Sequence, residues 1–263
     1  MSITQRLQVP EGLNVLVTGG AAGIGAAIAA GFLETGARVY VCDIDAQALA
    51  AFQARHPGCL GAAADVGRED AAAQAVHEAT RALGGLDVLV NNAGIAGPAG
   101  GIETLSVPDW EQTIQTNLNS QFYFLRHAIP HLKQSSRNPL IVAMSSVAGR
   151  LGYPLRTPYA ASKWAIIGLM KSLAAELGPE GVRINAVLPG PVAGPRMDRV
   201  IAARAQALGL DEATVRTQYL DRISLRRMVS AEDIAAMVLF LATPAAANVT
   251  GQAISVDGHV EYL

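Results

Sequence analysis

The chain has 263 residues, a formal net charge of −2 and a composition that is 51% hydrophobic. This length fits one large α/β unit, and the small negative charge, without a basic stripe, argues against nucleic acid as a partner. The N-terminal residues lack an apolar signal core, and no apolar run reaches the length of a membrane span. Cys42 and Cys59 lack metal-ligand spacing, so we expect reduced cysteines, no metal site and a cytoplasmic protein.

Apolar runs alternate with helical patterns along the whole chain. The predicted strands span residues 13–17, 38–43, 59–64, 86–90, 140–144, 182–188 and 253–256. The predicted helices span residues 25–36, 46–55, 69–83, 108–133, 158–178 and 231–241, with two or three helical pieces between 196 and 222.

Continuously apolar strands between such helices indicate a parallel sheet that is covered on both faces. Right-handed crossovers between parallel strands produce a doubly wound α/β sheet of the Rossmann type. We expect about seven strands, with helices on both faces and the ligand site at the carboxyl ends of the strands. No linker or composition shift divides the chain, so residues 1–263 are predicted to form a single domain.

A glycine-rich turn, Thr18-Gly19-Gly20-Ala21-Ala22-Gly23-Ile24-Gly25, follows the first predicted strand and opens the first long helix. Glycines in this context allow the backbone to approach a pyrophosphate, while the N-terminus of the helix supplies N–H groups and a favourable dipole. The pattern favours dinucleotide binding over the alternative, an ordinary tight turn between a strand and a helix.

Asp43 ends the second predicted strand, where a carboxylate accepts hydrogen bonds from the hydroxyls of an adenosine ribose. A 2′-phosphate would be repelled there, and no Arg or Lys lies between Gly19 and Gly25 or directly after Asp43 to accommodate one. The sequence therefore favours NAD over NADP. A helix N-cap is the alternative role for Asp43, but Asp45 is equally well placed to be the cap.

Tyr159 and Lys163 lie one turn apart on a helix that Pro158 can begin, because proline fits the first helical turn. A free phenol is a poor base at neutral pH, but a nearby ammonium group favours its charged form. Such a pair can serve proton transfer, although for the pair alone an exposed surface contact is the simpler interpretation.

Five motifs follow one another in a fixed order: the glycine turn, Asn91-Asn92-Ala93-Gly94, Met144-Ser145-Ser146, Tyr159-x-x-x-Lys163 and Pro189-Gly190. In this order and spacing the chain closely resembles the short-chain dehydrogenase/reductase superfamily. The resemblance covers residues 13–258. Each motif alone is a weak signal, whereas five in register are specific.

The resemblance implies a catalytic role for four residues. Tyr159 matches the general acid and base that exchanges a proton with the substrate oxygen, and Lys163 matches the lysine that supports it and holds the nicotinamide ribose. Ser146, rather than the adjacent Ser145, matches the serine that orients the substrate oxygen. Asn117 matches the asparagine that fixes a helix kink and a water in a proton relay.

The resemblance also implies a nicotinamide cofactor. The predicted cofactor contacts are Gly19, Ala22, Gly23, Ile24, Gly25, Asp43, Ile44, Asp65, Val66, Asn92, Ala93, Gly94, Tyr159, Lys163, Pro189, Gly190 and Val192. Two positions depart from the family pattern: Gly194 replaces a threonine that commonly contacts the cofactor, and His259 stands where a glycine is common. We expect the loop to hold the carboxamide through backbone groups, notably those of Val192.

Residues 190–230 resemble the family least and are predicted to form a lid over the substrate. The stretch 196–227 contains seven arginines against four acidic residues, and Arg156 precedes the catalytic tyrosine. A solvated helical face is the simpler explanation for these charges. The alternative is that Arg156 or Arg196 receives an anionic or strongly polar substrate.

These observations predict an NAD-dependent oxidoreductase that transfers a hydride between the cofactor and a secondary alcohol or its ketone. The candidate substrates are polyols, sugars, hydroxy acids, steroids and cyclic alcohols. A 3-oxoacyl-carrier reductase is an alternative, which Asp43 disfavours because such enzymes usually prefer NADPH. A non-catalytic dinucleotide-binding regulator is another. The resemblance further implies a homo-oligomer, a tetramer formed through the helices at 108–133 and 158–178.

Overall fold

Seven strands form the sheet in the computed structural model, which describes residues 1–261. They are β1 (Asn14–Thr18), β2 (Arg38–Asp43), β3 (Leu60–Ala63), β4 (Val88–Asn91), β5 (Leu140–Met144), β6 (Arg183–Pro189) and β7 (Ala253–Val256). All neighbouring strands are parallel, in the order β3-β2-β1-β4-β5-β6-β7. The order reverses between β1 and β4, which opens a ligand crevice at their carboxyl ends. The predicted doubly wound sheet is confirmed; residues 262 and 263 of the predicted domain lie outside the described part.

Ten α-helices accompany the strands within the described residues. They are α1 (Ile3–Arg6), α2 (Gly23–Glu34), α3 (Ala46–Arg55), α4 (Glu69–Leu83), α5 (Val107–Ile114), α6 (Ser120–Leu132), α7 (Thr157–Leu177), α8 (Pro195–Leu208), α9 (Glu212–Asp221) and α10 (Ala231–Ala242). Short 3-10 turns lie at Ile102–Thr104, Val147–Gly149, Gly178–Glu180 and Pro244–Ala246. None of the described helices is both long and apolar enough to cross a bilayer.

The apolar faces of the helices cover both sides of the sheet. On one side α2, α3 and α10 bury Phe32, Phe52 and Val238 against the strands. On the other side α4 and α6 bury Val76 and Phe124, and α7 packs beside them. Strands between two such layers are buried on both faces, which is why their sequences are continuously apolar rather than alternating.

The helix predicted over residues 108–133 is present, but its helical type changes partway along. The chain forms α5, then a π-helical segment, Gln115–Asn119, and then α6. A π turn adds one residue to the helical repeat, and here it contains Asn117, whose side chain bonds to the backbone of Ile95. The family resemblance implied a kink at this asparagine, whereas hydrophobic periodicity does not reveal such a local change of register.

Helices α8 and α9 lie outside the main layers and share a small apolar cluster that contains Met197, Ile201 and Tyr219. Tyr153 lies in the loop that precedes α7, and its hydroxyl is 2.7 Å from the Tyr219 hydroxyl. This hydrogen bond places the segment predicted as a lid beside the start of α7. The covering of a substrate by this segment stays a prediction.

Candidate active site

The glycine turn lies at the carboxyl end of β1 and requires glycine at two positions. Gly19 has a φ of +59°, and a Cβ at Gly25 would come within 2.1 Å of the Gly19 carbonyl oxygen. Helix α2 begins after Ala22, and no side chain caps its first N–H groups. An uncapped helix N-terminus behind a turn that has almost no side chains fits the pyrophosphate of a dinucleotide.

Asp43 lies next to this turn and helps to hold it. Its Oδ2 accepts a hydrogen bond from the Ala21 N–H at 3.0 Å, and its Oδ1 accepts one from the Asp45 N–H at 3.1 Å. Asp45, not Asp43, caps α3, because its Oδ1 accepts from the first N–H groups of that helix. The carboxylate of Asp43 is only half-buried beside the exposed Ile44, which leaves it accessible to a hydroxyl donor.

The residues after β4 brace the glycine turn from behind. Asn92 Nδ2 donates to the carbonyl oxygens of Thr18 and Gly19 at 2.9 Å each, and the Ala93 N–H donates to Thr18 Oγ1 at 3.0 Å. The Asn92 amide is therefore occupied by the protein backbone. A cofactor contact by Asn92 would have to use its main chain, or its side chain would have to give up these hydrogen bonds.

Asp65 and Val66 follow β3 at the same edge of the sheet. Asp65 is exposed and its Oδ1 accepts from the Gly67 N–H at 2.9 Å, while Val66 is buried. The predicted contacts that follow β1, β2 and β3 thus lie along one edge, where the carboxyl ends of parallel strands meet.

Tyr159 and Lys163 lie on one face of α7. Lys163 Nζ is 5.6 Å from the centre of the Tyr159 ring and donates to the Met144 carbonyl oxygen at 2.8 Å, which ties α7 to the end of β5. The Tyr153 ring meets the Tyr159 ring edge-on, with centroids 6.3 Å apart. The phenol ring therefore lies between a lysine and a second aromatic ring.

The charge of Lys163 depends on pH near neutrality. The side chain is 3% exposed, and its burial, together with the positive charge of Arg196, lowers its pKa from 10.5 to about 7. None of the ion pairs among residues 1–261 gives it a carboxylate partner. The burial of Lys163, which the sequence does not reveal, therefore weakens the ammonium form that would favour a tyrosinate.

Asn117 connects the loop after β4 to the turn of α7 that carries Tyr159. Its Oδ1 accepts from the Ile95 N–H at 2.7 Å, and its Nδ2 donates to the Ile95 carbonyl and to Ser162 Oγ, at 3.1 Å each. Ser162 Oγ in turn donates to the Tyr159 carbonyl oxygen at 2.7 Å. Because Asn117 is fully buried, this chain of bonds fixes the backbone of Tyr159 rigidly.

The two serines at the end of β5 have different partners. Ser145 Oγ donates to the Lys163 carbonyl oxygen at 2.8 Å and so fastens the strand to α7. Ser146 Oγ accepts from the Ala148 N–H at 3.2 Å, which leaves its own proton for a ligand oxygen. The difference supports Ser146, rather than Ser145, as the residue that orients a substrate.

The loop after β6 presents its backbone to the crevice. Gly190, which follows Pro189, lies so close to Asp257 that a Cβ would come within 2.7 Å of the Asp257 Cα. Val192 forms an isolated parallel β-bridge with Val229. The hydrogen bonds of this bridge are made by the residues on either side of Val192, not by Val192 itself. The N–H and carbonyl of Val192 lie outside that bridge, as a backbone contact with a carboxamide requires.

The backbone conformation at Gly194 explains why glycine replaces the threonine that is common in the family. Its φ of +132° and ψ of 179° fall in a region that is essentially restricted to glycine, so a threonine there would be strained. His259 replaces a common glycine and keeps a glycine-like φ of +67°. Its Nδ1 lies 2.6 Å from Ser224 Oγ, which helps a non-glycine residue to hold this conformation.

The sequence did not reveal two residues that hold the site together. Ser162 precedes Lys163 in the motif, but no spacing rule predicts its bond to Asn117. Arg156 is 5% exposed, and its Nη1 donates to the carbonyl oxygens of Ala96 and Gly97 at 3.1 and 3.0 Å. Arg156 therefore joins the loop after β4 to the start of α7, and its guanidinium has a structural role.

Comparison with known proteins decides the family. The sequence model described as enoyl-(acyl carrier protein) reductase matches residues 19–260. The probable galactose dehydrogenase GalD of Rhizobium meliloti (strain 1021) is 36% identical over 252 residues, which cover 94% of each chain. The chain belongs to the short-chain dehydrogenase/reductase superfamily.

Relatives within this superfamily carry different substrate names. The 3-oxoacyl-[acyl-carrier-protein] reductase FabG of Thermotoga maritima is 35% identical over 252 residues, covering 94% of this chain and 97% of that protein. The structure of the ligand-free aldohexose dehydrogenase of Thermoplasma acidophilum superposes with a TM-score of 0.82 at 32% identity, over 94% of this chain and 93% of that one. As a member of the superfamily, the chain is an oxidoreductase that acts on CH–OH groups and uses a nicotinamide cofactor.

Proposed function

We propose that this short-chain dehydrogenase/reductase interconverts a secondary alcohol and its ketone with NAD as cofactor, and that Tyr159 transfers the proton. One observation carries the proposal. The residues Asn117, Ser146, Tyr159 and Lys163 lie at one carboxyl edge of the sheet, linked through Ser162 and the end of β5, beside a glycine turn that fits a dinucleotide.

Each of these residues has a distinct task in the proposed reaction. The cofactor, when bound, accepts or supplies the hydride. Ser146 donates a hydrogen bond to the substrate oxygen and orients the reacting carbon. Tyr159 takes the hydroxyl proton during oxidation and returns it during reduction. Lys163, in its protonated form, favours the tyrosinate, and Asn117 holds the backbone of Tyr159 through Ser162.

The preference for NAD rests on Asp43. We expect Asp43→Asn to lower the ratio of kcat/KM with NAD to that with NADP by at least about tenfold, since it removes the charge that repels a 2′-phosphate. Asparagine keeps one oxygen that can accept from the Ala21 N–H, so the glycine turn stays supported. Asp45→Asn is the matched control, because it removes a neighbouring charge while asparagine still caps α3. An unchanged ratio in Asp43→Asn would discredit the ribose contact.

The substrate is best identified by a screen, because identities of 36% and 35% to relatives with different substrate names do not select one. The names of the galactose and aldohexose dehydrogenases support sugars as the first class to test. We expect at least one secondary alcohol among aldoses, polyols, hydroxy acids and cyclic alcohols to reduce NAD. NADPH-dependent reduction of a 3-oxoacyl thioester, without any NAD-linked alcohol oxidation, would favour the acyl-carrier alternative instead.

We also propose that the protein is a cytoplasmic homotetramer. The exposed surfaces of α5, α6 and α7 carry the large apolar side chains Val107, Trp110, Phe122 and Trp164. Exposed apolar side chains of this size support association with further copies of the chain. The cytoplasmic location rests on Cys42 and Cys59, which are buried free thiols that suit a reducing compartment.

A further inference from the structure

Three cations in or beside the candidate active site lack a carboxylate partner within the described residues. Arg150, Arg216 and Arg226 have ion-pair partners in Asp257, Asp198 and Asp221, respectively. Within residues 1–261, no ion pair involves Arg156, Lys163 or Arg196. The site therefore carries positive charge that the protein itself does not neutralise.

Arg156 and Arg196 differ in how their guanidinium groups are used. Arg156 is buried and bonds to two backbone carbonyls, so it is fixed in place. Arg196 lies in the first turn of α8 and is exposed, and its described hydrogen bond is one from Nη1 to the Gly94 carbonyl oxygen at 3.0 Å. Arg196 can therefore give up its bond to the Gly94 carbonyl and bind a ligand, whereas Arg156 is held in place.

Arg196 lies at the reacting end of the crevice. The Gly94 residue to which it bonds is so close to Lys163 that a Cβ there would lie 3.6 Å from Lys163 Nζ. The charge of Arg196 also reaches Lys163, where it adds to the effect of burial on the lysine pKa. Gly94 and Lys163 are both predicted cofactor contacts, Lys163 on the nicotinamide ribose, so Arg196 lies where the nicotinamide end of the cofactor would meet the substrate. The glycine turn and the uncapped N-terminus of α2, which fit the cofactor phosphates, lie instead at the end of β1.

We propose that Arg196 binds the carboxylate of a hydroxy-acid substrate and holds it beside the CH–OH carbon that Tyr159 serves. A guanidinium binds a carboxylate with two parallel charge-assisted hydrogen bonds, which are stronger than its single bond to the neutral Gly94 carbonyl. An anion at this point would also relieve the repulsion between Arg196 and Lys163.

The carboxylate takes no part in the bond changes. Oxidation breaks the C–H and O–H bonds of the CH–OH group and forms the ketone, with the hydride going to NAD and the proton to Tyr159. This assignment rests on the proposed function, and it narrows the substrate to a hydroxy acid or the corresponding keto acid.

The test compares Arg196→Gln with a control, Arg199→Gln, which removes a second exposed arginine from the same helix. The substrates are lactate and 3-hydroxybutyrate, each beside its methyl ester. For the wild type we expect a higher kcat/KM with at least one acid than with its ester. In Arg196→Gln, KM for that acid should rise at least about tenfold while the ester is unaffected, and Arg199→Gln should change neither. Preference of the wild type for both esters, or an equal loss for acid and ester, would overturn the proposal.

A binding measurement separates this proposal from the proposed function. Oxamate and malonate are titrated into the protein–NADH complex, and the shift of the thermal midpoint gives their affinity. We expect at least one of them to bind the wild type, and to bind Arg196→Gln at least about tenfold more weakly. The affinity for NADH, followed by its fluorescence, should be the same in all three proteins.

Two binding results would overturn the assignment of Arg196. Carboxylate binding that does not depend on Arg196, or no carboxylate binding to the wild type, would show that the guanidinium is not the receptor. A loss of NADH affinity confined to Arg196→Gln would show that it serves a cofactor phosphate. Failure of every alcohol to reduce NAD would instead contradict the proposed function, and the binding experiment would still decide the role of Arg196.

Discussion

Tyr159→Phe is expected to lower kcat by about a hundredfold to ten-thousandfold, the usual contribution of a general acid or base. The substitution removes only the phenol oxygen. The ring keeps its edge-on contact with Tyr153 and its place beside Lys163, so the site retains its shape. We therefore expect the Kd for NADH, measured by fluorescence, to stay within about threefold of the wild-type value, since no binding energy of that size depends on the hydroxyl.

The control for this variant is Tyr40→Phe. Tyr40 is buried, and its hydroxyl donates to Glu78 Oε2 at 2.9 Å, but it lies in the middle of β2 and away from the candidate active site. Loss of this hydroxyl should leave kcat unchanged. Comparable turnover in Tyr159→Phe and Tyr40→Phe would show that the Tyr159 hydroxyl takes no part in the reaction.

Lys163→Met is expected to abolish most of the activity and, at the same time, to stabilise the ligand-free protein at low pH. Folding lowers the lysine pKa from 10.5 to about 7, so the unfolded chain binds more protons than the folded one between these values. Stability therefore rises with pH across this window, and below pH 7 the full penalty of burying an unpaired ammonium is present. A shift of this size corresponds to roughly 5 kcal/mol, and we expect a measured gain of at least about 2 kcal/mol.

The measurement is the free energy of unfolding by urea at pH 6 and at pH 10, for the wild type and for Lys163→Met. The gain should be large at pH 6 and small at pH 10, because pH 10 is close to the pKa of the unfolded lysine and deprotonating it on folding then costs little free energy. Lys171→Met is the control, because Lys171 lies on the exposed side of the same helix and should show little dependence on pH. A Lys163→Met protein that is no more stable than the wild type at pH 6 would contradict the burial of an uncompensated charge.

The candidate active site contains features that lower the stability of the fold. The unpaired Lys163, the glycine-only conformation of Gly194 and the π-helical segment at Asn117 each cost folding free energy. Proteins commonly accept such violations where chemistry requires a particular geometry. Their occurrence in and beside the candidate active site is consistent with a site that is organised for a reaction rather than for stability.

Elements with strong local signals were predictable from the sequence. The bounds of α3 and α4 agree with the prediction because Asp45 caps the first and Gly84, at a φ of +79°, ends the second. Strands β2 and β5 also agree, since each is an apolar run between polar boundaries. The four-residue helix α1 was not predicted, because one turn closed by a capping box has no periodicity to detect.

The candidate site residues follow from the motif order, but the contacts that hold them could not be predicted. The motif order places Tyr159, Lys163 and Ser146 on an α/β frame, whereas the bond from Lys163 to the Met144 carbonyl depends on how α7 docks on β5. The low pKa of Lys163 has the same origin, because burial is a property of packing. The role of Arg156 depends on the path of the loop after β4, which no local pattern in the sequence determines.

The most direct test of the account is whether the protein itself moves a hydride from a secondary alcohol to NAD. The protein is mixed with NAD and an alcohol deuterated at the carbinol carbon, and the reduced cofactor is analysed by mass spectrometry. We predict that deuterium appears in the cofactor with the wild type and that its rate of appearance falls sharply in Tyr159→Phe. NAD binding without deuterium transfer from any alcohol of the screen, or equal transfer by Tyr159→Phe, would contradict the account.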